Sequence, residues 1–361
     1  MSTTTEEIKQ TETSKDEKSE LLLDSLEIKG YRCFEHLTIE KLGRVNLVVG
    51  KNNVGKTALL EALWLYANRG YEHLMFDILR ERNEIPPPQN GNNLIQPESS
   101  NGLRNFFHNR PPLNYDSSFM DSPEIIIAGE KVKELGISNP FNKKIVRITI
   151  LPPDSPSANH IPQIKNESSF LHDIKSYFIK SYGLNDKKLV EFWDNIERWV
   201  LEDSVIEALR IITPALKDIR FSGYPTGTFN RVPVVRLESA VERVPLKSLG
   251  EGMIKLLGIA SALVNCQYGI LLIDEIEIGL HYSVLPDIWK LIFKTAKDLN
   301  VQVFATTHSY DCIEAFVQAA IDDEESEGNL IRLENKNGAI KAVTFSESEL
   351  ETVTRRNIEV R

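Results

Sequence analysis

The eight residues Gly50-Lys51-Asn52-Asn53-Val54-Gly55-Lys56-Thr57 constrain this chain more than any other segment. They match G-x-x-x-x-G-K-[ST]. Before them, the Val- and Leu-rich run 44–49 predicts a buried strand; after them, 56–68 is rich in good helix formers, with Gly70 as a stop. A strand turning through glycines into a helix is the context that gives this pattern its chemistry. The glycines let backbone N–H groups wrap phosphates, and the helix N-terminus favours negative charge. Lys56 is placed to reach β- and γ-phosphates, and Thr57 to offer a hydroxyl to Mg²⁺.

Three further segments bear on the same chemistry. Ile270-Leu271-Leu272-Ile273-Asp274-Glu275 reads as a buried strand ending in two carboxylates. Alone, such a strand is common. Beside a phosphate loop, Asp274 is expected to hold Mg²⁺ and Glu275 to act as general base or water-positioning residue. Ser248-Leu249-Gly250-Glu251-Gly252 is a small-residue turn running into an apolar helix, which alone is either a capped helix start or an anion site. Thr306-Thr307-His308-Ser309 closes the strand VQVFAT, where an isolated histidine is ordinarily a satisfied loop residue.

The rest of the chain frames these motifs. Residues 1–21 are nearly all Ser, Thr, Glu, Lys and Asp, a composition that predicts a disordered tail. Strands are expected at 26–31 and 37–41. The stretch 71–232 reads as an insert, Pro-, Asn- and Gly-rich to 123, with a strand at 144–151 and a helical lobe over 167–219. From 233 onward strands alternate with helices, predicting a mostly parallel sheet, and Asn337-Gly338 marks a hairpin. The expected architecture is therefore an α/β P-loop NTPase with a mixed β-sheet, flanking helices and a helical lobe, its core in two segments, 22–70 and 233–361. The net charge of -10 excludes bulk electrostatic coating of nucleic acid and leaves only a local basic patch open. Cys33, Cys266 and Cys312 lie far apart without C-x-x-C spacing, which fits neither a zinc site nor a disulfide framework. No apolar run approaches the roughly 18 residues of a membrane span, and the N-terminus lacks a signal-peptide core, so a cytoplasmic protein is expected.

Taken in order, these motifs resemble the RecF/SMC/OLD branch of the ABC-type ATPases, especially compact stand-alone proteins related to the OLD ATPase domain. The opening Ile28-Lys29-Gly30-Tyr31-Arg32-Cys33-Phe34 is similar to the Arg-x-Phe strand of that branch. The resemblance implies ATP and Mg²⁺ as ligands, with Arg32 and Phe34 near the adenine. It implies that His308 is a switch histidine at the γ-phosphate. It further implies that Ser248, Gly250, Glu251 and Gly252 contact the ATP of a second copy, so that a homodimer or higher homo-oligomer forms on ATP binding. His281 lies on the segment expected along that interface. The turn reads SLGEG where transporters and SMC proteins have a double glycine, and neither Gln89 nor Gln96 is placed as the Mg²⁺-bridging glutamine.

The function implied is an ATP-hydrolysing, dimerising switch or clamp that regulates a separate effector, nuclease-type, in genome defence, including antiviral defence, or DNA repair. About 50 residues follow His308, short of the on the order of 100 residues of a Toprim domain, so no nuclease domain is expected within the chain. Two alternatives stand beside this reading. One is the nucleotide-binding subunit of a membrane transporter, which the Arg32-x-Phe34 strand disfavours. The other is a regulatory ATP-binding module without turnover, which Glu275 argues against.

Overall fold

The computed structural model describes residues 21–86, 102–111, 123–130, 143–151, 163–169, 172–223, 231–322, 327–345 and 349. The expected tail, apart from its last residue, lies outside them, as do Gln89 and Gln96.

The N-terminal segment forms β1 (Ser25–Tyr31), β2 (Phe34–Ile39), β3 (Val45–Val49), α1 (Lys56–Ala67) and α2 (Glu72–Glu81). Next come β4 (Glu124–Glu130), β5 (Lys143–Leu151), β6 (Gln163–Ser168) and β7 (Ser176–Ile179), then α3 (Asp186–Trp199) and α4 (Glu202–Arg210). Strands β8 (Leu216–Gly223), β9 (Arg231–Leu237) and β10 (Val244–Pro245) precede α5 (Glu251–Asn265) and β11 (Ile270–Ile273). The chain continues through α6 (Leu285–Asp298), β12 (Gln302–Thr306), α7 (Tyr310–Asp322), β13 (Gly328–Lys336) and β14 (Ala339–Phe345).

Six of the strands form a central sheet in the order β14-β13-β3-β12-β11-β7. Every pairing in it is parallel except the β13–β14 hairpin. In the hairpin turn Asn337 and Gly338 both have positive φ, 55° and 90°, which suits the right-handed twist of the flanking strands. The apolar runs of β3, β11 and β12 are buried on both faces, as parallel strands covered on both sides require. Val45, Leu47 and Val49 face a core shared with α3 to α7. Val48, Ile270, Leu272 and Phe304 face the opposite core, shared with α1, α2 and an antiparallel sheet of order β2-β1-β4-β5-β6. A third sheet, β10-β9-β8, packs with the α3–α4 lobe through Trp193 and Phe221, whose rings stack at 5.4 Å.

The α/β class, the mixed sheet and the helical lobe agree with expectation, but 71–232 is not a single insert. Within it, β4 pairs with β1, and β7 pairs in parallel with β11, so the segment contributes strands to both core sheets. Its first part contains α2, which buries Leu74, Met75, Phe76, Ile78 and Leu79 against α1 and the antiparallel sheet. Helices occupy only part of 167–219, because the apolar period of 3.6 holds over α3 and α4 and gives way to strands β7 and β8 on either side.

Candidate functional site

Parallel registry decides where the chemistry gathers. Val48 of β3 lies opposite Thr306 of β12, and Ala305 lies opposite Ile273 of β11. The C-terminal ends of three strands therefore meet at one sheet edge, delivering the glycine loop, Asp274-Glu275 and Thr306-Thr307-His308 to the same place.

The loop is shaped by its glycines. Gly50 has φ 144°, and a Cβ there would stand 2.4 Å from the Leu333 carbonyl oxygen. Gly55 has φ 95°, and a Cβ there would meet Cys33 Sγ at 2.4 Å and Phe34 Cζ at 2.8 Å. Lys56 begins α1 and is buried, with Nζ donating to the carbonyls of Gly50 at 2.7 Å and Lys51 at 3.0 Å. Burial pushes the Lys56 ammonium below its usual range, against the opposing pull of Asp274, Glu275 and Glu277. Such a cation gains from an arriving anion. Val54 is buried inside the loop, while Lys51, Asn52 and Asn53 are exposed on it.

Thr57 Oγ1 donates to both carboxylate oxygens of Asp274, at 3.2 and 3.1 Å. A hydroxyl and a carboxylate at a helix N-terminus beside a phosphate loop are the hard oxygen donors that Mg²⁺ takes together with phosphate and water. Thr57 and Asp274 thus fit the ion. Glu275 has φ 47° and donates its backbone N–H to Thr306 Oγ1 at 2.8 Å. Its carboxylate lies 3.7 Å from His308 Nε2, both side chains part-exposed.

Lys56, Thr57, Asn52, Asn53, Gly55, Glu275 and His308 line one cavity of about 790 Å³. Arg32 lines it too, but its guanidinium is held by Glu84 (2.9 and 3.1 Å) and by Glu61 at 3.1 Å. Phe34 corrects the sequence reading: it is buried beneath Gly55, and supports the loop from below instead of walling the cavity. Among the described residues, eleven non-glycine residues have positive φ, and five of them, Arg32, Asn53, Asn109, Arg110 and Glu275, line this cavity. Strained backbone of this kind costs about 1–3 kcal/mol per residue and clusters where function holds it.

The turn Ser248 to Gly252 is elsewhere. Ser248, Gly250 and Glu251 are exposed, and the cavity lining includes none of the turn's residues. Gly250 has φ 112°, and a Cβ there would meet nothing within 4 Å. Gly252 packs on the loop after the acidic pair, where a Cβ would stand 2.6 Å from the Gly279 carbonyl oxygen. His281, on the same loop, bonds Ser283 Oγ at 2.8 Å and does not line the cavity.

Four further residues were given no role by the sequence. Thr306, buried at the end of β12, ties Asp274 to the Glu275 amide. Glu277 Oε1 accepts the His308 N–H at 2.9 Å, while its Oε2 is buried without a hydrogen-bond partner among the described residues. Lys255 is buried in α5, donates weakly to the carbonyls of Lys180 and Ser181, and is held below its usual range by burial. Glu61, buried in α1, accepts Arg82 Nε at 2.7 Å as well as binding Arg32. Thr306 opens the TTHS string and Glu277 lies two residues after the DE pair, so both could have been given roles by adjacency. The other two are found only through long-range packing.

Residues 45–312 match the family described as "AAA domain, putative AbiEii toxin, Type IV TA system". The chain is 25% identical over 338 residues to a Helicobacter pylori protein named ATP/GTP phosphatase, covering 82% of this chain and 88% of that one. Its fold is similar to the crystal structure of an SMC head bound to the C-winged helix domain of ScpA, with TM-score 0.56 at 13% identity, over 92% of this chain and 99% of the other. It is also similar to the Pyrococcus furiosus SMC head with an extended coiled coil bound to the C-terminal domain of ScpA, with TM-score 0.54 at 11% identity, over 93% and 99%. The two structural likenesses show that the chain shares the fold of SMC head domains. Among the described residues, no helix is long and apolar enough to cross a membrane.

Proposed function

The chain belongs to the AAA domain family of the AbiEii type, and on that premise we propose that it is an ATP-hydrolysing switch whose two copies close around nucleotide to control a separate effector. One observation carries this reading. Lys56, Thr57, Glu275 and His308 converge on a single cavity while the Ser248–Gly252 turn stays exposed and apart from it. In the ABC-type arrangement that the sequence resembles, that turn meets the nucleotide held by a second copy.

Within the cavity, Lys56 and the loop amides bind the β- and γ-phosphates. Thr57 and Asp274 would hold Mg²⁺, which would supply neutralisation of charge on the phosphates. Glu275 orients the attacking water and takes its proton. His308, whose backbone is fixed by Glu277, reads whether the γ-phosphate is present. From the partner copy, Ser248, Gly250, Glu251 and Gly252 close on that phosphate. Loss of the γ-phosphate opens the pair and resets the switch.

The Helicobacter pylori relative's name supports turnover, and the SMC heads of similar fold carry bound ScpA domains, which supports a protein partner. The family's description names a putative toxin of a type IV toxin–antitoxin system, which supports a place in defence; the nuclease-type effector and a role in repair are part of the proposal. Light scattering of Glu275→Gln with ATP tests the closure: the mass should double on adding ATP and Mg²⁺. An unchanged mass with nucleotide bound contradicts it.

A further inference from the structure

The cavity does not end at the phosphate loop. It extends past Arg32 and Cys33 to a wall formed by Arg82, Asn105, Phe107, Asn109 and Arg110. This wall is bonded onto the turn between β1 and β2. Arg32 N–H donates to the Phe106 carbonyl at 2.8 Å, His108 N–H donates to Gly30 at 2.9 Å, and Tyr31 bridges Phe107. The same turn carries Cys33 and Phe34, which press on Gly55, so wall and loop are held at a fixed spacing.

Two side chains of the wall are set apart from that framework. Asn109 and Arg110 are exposed, adjacent, and both in the left-handed region, with φ 57° and 46°. Among the described residues their side chains make no hydrogen bond or ion pair, whereas Arg32 and Arg82 are anchored by Glu61 and Glu84. A carboxamide and a guanidinium presented side by side are purine readers of different kinds. Asparagine's donor and acceptor match the N6 amine and N7 of adenine, and arginine's paired donors match O6 and N7 of guanine.

We propose that Asn109 and Arg110 form the base subsite of this cavity and set its choice between purine nucleoside triphosphates. The proposal rests on the nucleotide reading above and goes beyond it: the phosphates are held by the glycine loop, the base by a wall that belongs to a different part of the chain. The carboxamide favours ATP and the guanidinium GTP, so both nucleotides bind and each residue controls one of them.

Calorimetry on the full chain tests this, with Glu275→Gln as the non-hydrolysing background and ATP, GTP and inorganic tripolyphosphate as probes. Adding Asn109→Ala should weaken ATP about tenfold, the loss of one hydrogen bond pair of ordinary strength, and GTP less. Adding Arg110→Ala should weaken GTP more than ATP. Neither should change tripolyphosphate, which has no base and reports that loop and fold are intact. Unchanged ATP and GTP affinities in both variants overturn the proposal, as does an equal loss of tripolyphosphate. If the background protein binds none of the three probes, the nucleotide reading itself fails, a result distinct from failure of the wall alone.

Discussion

The Thr306 hydroxyl donates to Asp274 Oδ1 at 2.7 Å and accepts the Glu275 N–H at 2.8 Å. One buried side chain on β12 therefore fixes both acidic residues at the end of β11, and holds Glu275 in its left-handed conformation. Thr306→Val keeps the shape and removes both bonds. It should destabilise the fold by about 1–3 kcal/mol, the cost of leaving buried polar groups unpaired, and lower ATP turnover more than ATP affinity. Denaturant unfolding and steady-state kinetics check this; an unchanged kcat shows that Thr306 does not position Glu275.

Lys56 is buried and donates its ammonium hydrogens to loop carbonyls. Burial disfavours its charge, so removing it relieves a desolvated cation and leaves stability within about 1 kcal/mol of the parent. Lys56→Ala should nonetheless weaken ATP by about a hundredfold or more, since hydrogen bonds to charged groups are worth about 1.5–3 kcal/mol each. Calorimetry on a folded variant with parental affinity would remove Lys56 from the site.

Two glycines of α5 separate function from packing. At Gly258 a Cβ would meet only Leu184 at 3.7 Å, an ordinary contact, so Gly258→Ala should stabilise by about 0.4–1 kcal/mol. At Gly252 the Cβ would press on the Gly279 carbonyl at 2.6 Å, and both backbones must shift. Gly252→Ala should lower stability and abolish the ATP-dependent dimer. Thermal unfolding and light scattering on the two variants measure the contrast; equal effects at both positions would disconnect the turn from the loop after the acidic pair.

Much of this was legible in the sequence, for local reasons. Strands β3 and β11 are short apolar runs that end at Gly50 and Asp274, β12 is a third such run, and α1 has both its entry glycine and its stop at Gly70. The hairpin was written in Asn337-Gly338. What escaped depends on distant partners. The four residues of β7 are a strand only because β11 lies beside them, and β4 and β6 are strands through their pairing with β1 and with β5, the strand expected at 144–151. Arg32, which the resemblance placed near the adenine, lines the cavity, but its carboxylate partner Glu84 is 52 positions away, so the locked geometry was not legible. The resemblance placed Phe34 near the adenine, and nothing in the string shows that Gly55 lies against its ring.

Phosphate release from ATP and Mg²⁺, compared between the parent chain and Glu275→Gln over a range of protein concentrations, tests the central claim most directly. The parent should turn over ATP with a specific activity that rises with concentration as copies pair. Glu275→Gln should bind ATP normally but lose about 10²–10⁴-fold in rate, the share a positioned general base contributes. Parental turnover in Glu275→Gln, or none in the parent at any concentration, would contradict the account.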